Sequence, residues 1–441
     1  MQCSRGLIFA VSVLLSGNLA FAEGEITLQQ SVIDTLRYAP RLEMIKSNRE
    51  AVGHDLEKSK GRWYPKLDVQ GGVGVDSFSS EVTRDEDTDN DWDRRAEAGI
   101  YLTQRLYDGG EASSQIRLDE TRLASLEHRV FDNAESLALD AIIAVLEVYR
   151  QRELVFLAEE NAKAHRDILA SLQEREKAGA GSVADVTQTQ ARLSMAQASL
   201  SKTHAALQAA ISNYQRLTGQ LPGKIGMGPY PAERVPADLE QLLDMAANGN
   251  PKVTAAGQDV LSDEERANIA ESAHHPYLYL ELSSAYTDGV ENQEEWELNN
   301  AAMLRMNWNL YRGGSDLAAT RAAKARKRQT EADRQELLLA VADEVKATWA
   351  QFQSARNEVR EYTEAKDKNR MTKEIYLEQF GVAQRSLLDV LDSENEVFQS
   401  SSQLVTSMVN EHIAAYKLLA LAGKLNESLG VDPGLYRTAQ K

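Results

Sequence analysis

Four stretches of this chain alternate apolar and polar residues with period two, the pattern of strands with one greasy and one wet face. The first sets Leu67, Val69, Val73 and Val75 against Asp68, Gln70, Gly72 and Asp76. In the second, Ala96, Ala98, Ile100, Leu102 and Leu106 oppose Arg95, Glu97, Tyr101, Thr103 and Arg105. The third places Leu278, Leu280, Leu282 and Tyr286 against Glu281 and Ser283. The fourth places Trp296, Leu298, Ala302, Leu304, Met306, Trp308 and Leu310 against Glu297, Asn299, Arg305, Asn307 and Asn309. Two other stretches carry the helical period. From Glu111 to Lys177 no proline intervenes, and Leu123, Leu126, Val130, Ala134, Leu137, Ala141, Ala144 and Val148 recur at steps of three and four. Val341, Val345, Thr348, Phe352, Ala355, Val359 and Tyr362 do the same within 315–379. Such helices would be about 100 Å long, which calls for coiled-coil-like packing rather than a globular core. Return helices at 182–218 and 386–422 are about half as long. Helices at 41–63 and 252–273 could fill the deficit, two short helices running end to end beside one long one.

These elements fall into two copies of one plan. Tyr64-Pro65-Lys66-Leu67 is echoed by His275-Pro276-Tyr277-Leu278 at an offset of 211, and the same offset carries Pro40 onto Pro251. Leu106-Tyr107-Asp108-Gly109-Gly110 is echoed by Leu310-Tyr311-Arg312-Gly313-Gly314 at an offset of 204. That offset then holds without a gap from Ser182-Val183-Ala184-Asp185-Val186 onto Ser386-Leu387-Leu388-Asp389-Val390, and on to Leu217-Thr218-Gly219 and Leu421-Ala422-Gly423. The expected organisation is a leader over 1–22, a first repeat over 23–222, a linker over 223–236, a second repeat over 237–425 and a tail over 426–441. The first repeat would carry strands at 66–76 and 95–107 and a hairpin over 111–218. The second would carry strands at 277–286 and 296–310 and a hairpin over 315–422.

The ends and the composition decide where such a chain works. Arg5, the apolar run Leu7 to Leu15 and Ala20-Phe21-Ala22 read as a secretory signal peptide. Cys3, the one cysteine, lies inside it, so neither thiol chemistry nor a disulfide framework is expected in the exported chain. No apolar run reaches the roughly 18 residues of a membrane helix. The four alternating stretches, by contrast, have about the length of strands that cross a bilayer at a tilt. Aromatic residues stand at their ends, as in membrane girdles: Trp63, Tyr64, Tyr107, Trp296, Trp308 and Tyr311. A soluble sheet with one wet face is the plainer alternative. If the strands are in lipid, four are too few, because an open edge is not tolerated there and the smallest barrels have about eight. The chain must then oligomerise.

The remaining chemistry is sparse. A net charge of −18 across 441 residues is a poor footprint for nucleic acid. No Ser/His/Asp arrangement or phosphate-cradling glycine loop is apparent, so no enzyme and no cofactor is expected. The acidic run Glu81–Asp93 reads as a solvated loop on the far side of the membrane in preference to a calcium site. His274-His275 would point to opposite faces of a strand and lacks neighbours at metal-ligand spacing.

Taken together, the duplication, the proline-bounded strand starts, the aromatic-x-Gly-Gly junctions and the hairpin turn Gly381-Val382-Ala383-Gln384-Arg385-Ser386-Leu387-Leu388-Asp389-Val390-Leu391-Asp392 resemble the TolC family of outer-membrane export proteins. The resemblance implies a mixed α and β fold, mostly long α-helices: a tandem-duplicated α-barrel crossing the periplasm, a small equatorial region, and a transmembrane β-barrel. Each chain would supply four strands, twelve in a homotrimer embedded in outer-membrane lipid. It further implies a passive exit duct for type I protein secretion or tripartite efflux. Its partners would be a periplasmic adaptor (membrane fusion) protein and an inner-membrane ABC or RND transporter. The aspartate ring of the periplasmic aperture would fall on Asp389 and Asp392, and the gating links on Arg385 and Asp185. Phe380 stands where family members carry a linking tyrosine, so that hydrogen bond is absent. Ser182-x-x-Asp185 and Ser386-x-x-Asp389 equally fit helix capping, with an acid favoured in the first turn. A periplasmic coiled-coil scaffold or adhesin stalk without channel activity is the rival reading.

Overall fold

Paired glycines mark where each long helix begins. Gly109 and Gly110 have φ of 67° and 92°, and Gly313 and Gly314 have 63° and 83°, values that favour residues without a Cβ. The chain is described here from a computed structural model covering residues 26–85, 92–290, 295–382 and 384–436. The proposed leader and part of the acidic run lie outside the described residues. The first repeat comprises α1 (Leu28–Tyr38), α2 (Pro40–Lys60), β1 (Lys66–Asp76), a short α3 (Glu81–Asp85), β2 (Asp93–Tyr107), α4 (Glu111–Lys177) and α5 (Val183–Thr218). The second comprises α6 (Leu239–Gly249), α7 (Pro251–Ser272), β3 (Tyr277–Asp288), β4 (Glu297–Asn307), α8 (Ser315–Gly381), α9 (Leu387–Leu421) and α10 (Leu425–Ser428). Pro40 and Pro251 sit at the first helical positions of α2 and α7, where a missing N–H costs nothing. The fourth strand ends at Asn307, three residues short of the sequence pattern. Trp308 instead turns its indole N–H onto the His274 carbonyl at 3.1 Å.

The strands form one antiparallel sheet in the order β1-β2-β3-β4. Register places Leu67, Leu102, Leu282 and Ala302 in one row across it, and Asp68, Tyr101, Ser283 and Ala301 in the next. Directly opposed residues share a face, so one face is apolar and the other polar. On the polar face Arg305 donates to Glu281 at 3.0 Å. Among the described residues β1 and β4 have no partner on their outer sides, and nearly every residue of both is exposed. Among the described residues no helix is long and apolar enough to cross a membrane.

Below the sheet the helices lie side by side. α4 runs against α2 and α7 in its strand-proximal half and against α5 and α9 in its distal half. The short helices therefore supply what the half-length return helices leave uncovered. α7 also packs on α8, which meets α9 further down. A collar closes around mid-height, where α1 and α6 add Leu28, Val32, Leu36, Leu242 and Ala246 to a core built on Ala141, Ile142, Val145, Leu146 and Tyr416. Glu135 of α4 ties the tail into this collar. Its carboxylate accepts from the Leu425 and Asn426 backbone N–H groups at 2.9 and 3.0 Å and from the Asn426 side chain at 3.0 Å. Burial outweighs these three donors and pushes the Glu135 carboxyl up to about 7.

Candidate functional site

The residues singled out in the sequence converge at the end of the molecule farthest from the sheet, where both hairpins turn. Ser386 caps α9: its hydroxyl accepts from the Asp389 N–H at 3.2 Å and donates to the Asp389 carboxylate at 2.9 Å. Arg385 lies 3.6 Å from the same carboxylate. Its Nε also donates to Gln379 at 3.0 Å, and its guanidinium sits 4.4 Å from the Tyr376 ring centre. Asp389 thus occupies the capping position and stays about 40% exposed. Ser182 caps α5 through the Ala184 N–H at 3.2 Å, and the Asp185 carbonyl accepts from Thr189 at 2.8 Å. Within one chain Arg385 is thus engaged by Gln379, Asp389 and Tyr376, all from its own hairpin.

Asp392, one turn deeper, is met by a residue the sequence reading did not single out. Arg192 of α5 donates to it at 3.0 Å, joining the first hairpin to the second. Nothing in the spacing of either repeat pairs these positions, because the repeat carries Arg192 onto Glu396 and Gln188 onto Asp392. Both side chains are a third to a half exposed, so solvent screens the pair and a separated state costs little.

Apolar contact does more to hold the tip. Leu172 of α4 and Leu387 and Leu391 of α9 form a small buried cluster, with Ile168, Val186 and Phe380 packed against it. All four long helices contribute. Phe380 puts its ring in that cluster and under the Arg175 guanidinium, 5.2 Å away. Ile168–Leu172 and Leu387–Leu391 are i,i+4 pairs, a spacing from which the cluster could have been read. Above it, Lys373 of α8 holds the buried Glu394 of α9 at 2.9 Å. His165 of α4 is buried near this pair, with its Nδ1 unbonded and its pKa lowered by burial. Higher still, α4, α5, α8 and α9 together line a cavity of about 870 Å³ whose walls include Gln151, Lys202, Asn369, Glu396, Gln399 and Gln403. For α5 and α8, at opposite edges of the ribbon, to face one cavity, the ribbon must curl.

A sheet apolar on one face and polar on the other, continued by a curled ribbon of very long helices, is the fold that solved outer membrane channels share. The model of the outer membrane efflux protein family matches residues 34–220 and 242–424, one match in each repeat, and the chain belongs to that family. It is 23% identical to the outer membrane efflux protein BepC of Brucella suis over 98% of this chain and 93% of that one. It is 24% identical to the outer membrane protein TolC of Vibrio cholerae over 90% and 91%. Among solved structures, the CmeC outer membrane channel of Campylobacter jejuni superimposes with a TM-score of 0.78, at 12% identity, over 96% of this chain and 94% of that one. The TolC-like fold and the outer-membrane location expected from the hairpin and repeat motifs are those of this chain.

Proposed function

We propose that three copies of this chain close into an exit duct: a twelve-stranded barrel in the outer membrane, continued by a hollow helical tube into the periplasm. The observation that carries this reading is the pair of open strands. β1 and β4 present unpaired backbone groups along 11 residues each, on a sheet whose apolar face suits lipid. In hydrocarbon each unpaired group costs several kcal/mol, so the edges must be covered by other copies. Eight strands from two copies would leave a bore filled by side chains; twelve leave room for water. The duct serves type I protein secretion or tripartite efflux as a passive conduit. A periplasmic adaptor and an inner-membrane ABC or RND transporter dock at the hairpin tips and supply the energy, and the leader over 1–22 directs export.

The tips act as the gate. Asp389 and Asp392 ring the constriction, six carboxylates around the axis, where they attract cations. The Arg192–Asp392 pair and the Leu172–Leu387–Leu391 cluster keep each protomer's two hairpins together, while Arg385 and Asp185 are placed to meet between hairpins of adjoining copies. Opening separates the exposed ion pairs first, since these cost least to break. Conductance of the reconstituted protein in planar bilayers tests the reading. Wild type should show small, cation-selective channels, and Asp389→Ala/Asp392→Ala should lose most of the selectivity. A double variant that conducts and selects as wild type does would remove the aspartate ring from the gate.

A further inference from the structure

Inside the tip, the second repeat satisfies a polar position that the first leaves open. The offset of 204 carries His165 of α4 onto Asn369 of α8. Asn369 donates its side-chain N–H groups to the Glu396 carbonyl and the Ser400 hydroxyl of α9, both at 3.3 Å. The same offset takes Ser400 back to Ala196 and Glu396 back to Arg192, both on α5. By the repeat, His165 is set against a methyl group where Asn369 finds a hydroxyl, with a guanidinium one turn away. Its ring is 4% exposed, and its Nδ1 has no hydrogen-bond partner. Asn161, one turn earlier on α4, is also buried with its Oδ1 unbonded.

Charged groups surround this ring from the other three long helices. Glu394 of α9 and Arg192 of α5 act on it directly and with opposite signs. Lys373 of α8 holds Glu394 at 2.9 Å, and Asp392 of α9 holds Arg192 at 3.0 Å. With His165 neutral, this layer is balanced, two cations against two carboxylates. It joins the two hairpins just above the apolar cluster of Leu172, Leu387 and Leu391. A proton on His165 adds a third cation where both carboxylates of the layer are already paired. Burial pulls the pKa of the ring down, and Glu394 only partly opposes it.

We propose that His165 is a proton-sensitive gating residue: neutral while the two hairpins of one copy pack together, and, once protonated, a buried excess cation that drives them apart at the tip. The inference rests on the gate proposed above. Its sign follows from linkage. A packed tip binds the proton less readily than one whose helices have separated and let water reach the ring. The stabilisation of the packed tip is therefore complete above the ordinary histidine value of 6.5 and is lost as pH falls below it. Each pH unit in that range lowers the ratio of packed to separated tips by up to roughly tenfold per copy, until the ring is charged in both states. The duct opens more readily in an acidified periplasm than in a neutral one.

His412 supplies the control. It is also buried, with its pKa lowered by burial, but its Nδ1 is bonded to the Met408 carbonyl at 2.9 Å and its ring packs against Tyr230, far from both turns. The open fraction of reconstituted channels in planar bilayers, followed from about pH 7.5 to about pH 5, tests the proposal. Wild type should open several-fold more often at the acidic end. His165→Asn, which gives the first repeat the amide that the second already carries, should show a flat profile. His412→Gln should keep the wild-type slope. Should His165→Asn fail to assemble, His165→Gln is read in the same way. A flat wild-type profile, a slope that survives without His165, or a slope lost in His412→Gln overturns the proposal and leaves the gate standing. A wild type that conducts at no pH overturns the duct itself.

Discussion

Glu135 is a buried carboxylate whose protonation burial governs. Its carboxyl is pushed up to about 7 from an ordinary value near 4.5, because burial costs the charged form more than three N–H donors return. The folded protein therefore holds a proton more readily than the unfolded one between these values. The contribution of this group to the stability of the whole fold is greatest below about pH 4.5 and is lost as pH rises through about 7, by at most roughly 3 kcal/mol. Global unfolding, followed from pH 4.5 to 7.5, should show this slope, and Glu135→Gln should flatten it. Glu135→Ala would instead leave three buried donors without an acceptor, a loss of about 2–4 kcal/mol at any pH in that range. Phe380 makes a second residue-scale case. The missing hydroxyl noted in the sequence does not leave a gap, because the ring packs on the apolar tip cluster and under Arg175. Phe380→Ala should lower tip stability by about 1–3 kcal/mol and raise the open fraction in single-channel recordings, whereas Phe380→Leu should stay close to wild type.

At the scale of elements, the long helices were legible because proline is missing and apolar positions recur over many turns. Their starts were legible because paired glycines mark them. The caps were legible too: Ser182 and Ser386 both accept from N–H groups of the first turn. Ser386→Ala should destabilise the start of α9 by about 1 kcal/mol, visible as faster hydrogen exchange at the Asp389 N–H that Ser386 caps and in the turn that follows. What spacing could not show was which helix lies beside which. The α4 seams with α2, α7, α5 and α9 depend on side chains meeting across tens to hundreds of residues, as Arg49 meets Glu127 and Arg150 meets Asn410. Leu391, fully buried in the tip cluster, makes the point in energetic terms. Leu391→Ala should cost about 2–4 kcal/mol and loosen both hairpins together, since the cavity opens between all four helices. Protease sensitivity should then appear near both turns rather than at one.

For the whole molecule, the prediction is an oligomer that resists dissociation. Extracted outer membranes should yield a species that migrates as a multimer unheated and as a single chain after boiling, because in the proposed barrel twelve strands would share one uninterrupted hydrogen-bond network in lipid. Asp76→Ala, which leaves Arg95 without its 2.8 Å partner on the first hairpin, should alter that migration little. Leu304→Asp, on the apolar face of the open strand, should abolish assembly. Periodicity and duplication are local properties, written in residues a few positions apart or at a constant offset. They carry alternation, helix length, repeat boundaries and the demand for partners. The tie between Arg192 and Asp392, the neutral burial of the Phe380 ring and the Glu135 clasp on the tail depend on chain segments brought together only when the helices pack. Charge and burial act over a few ångströms of space, and distance along the chain says nothing about them.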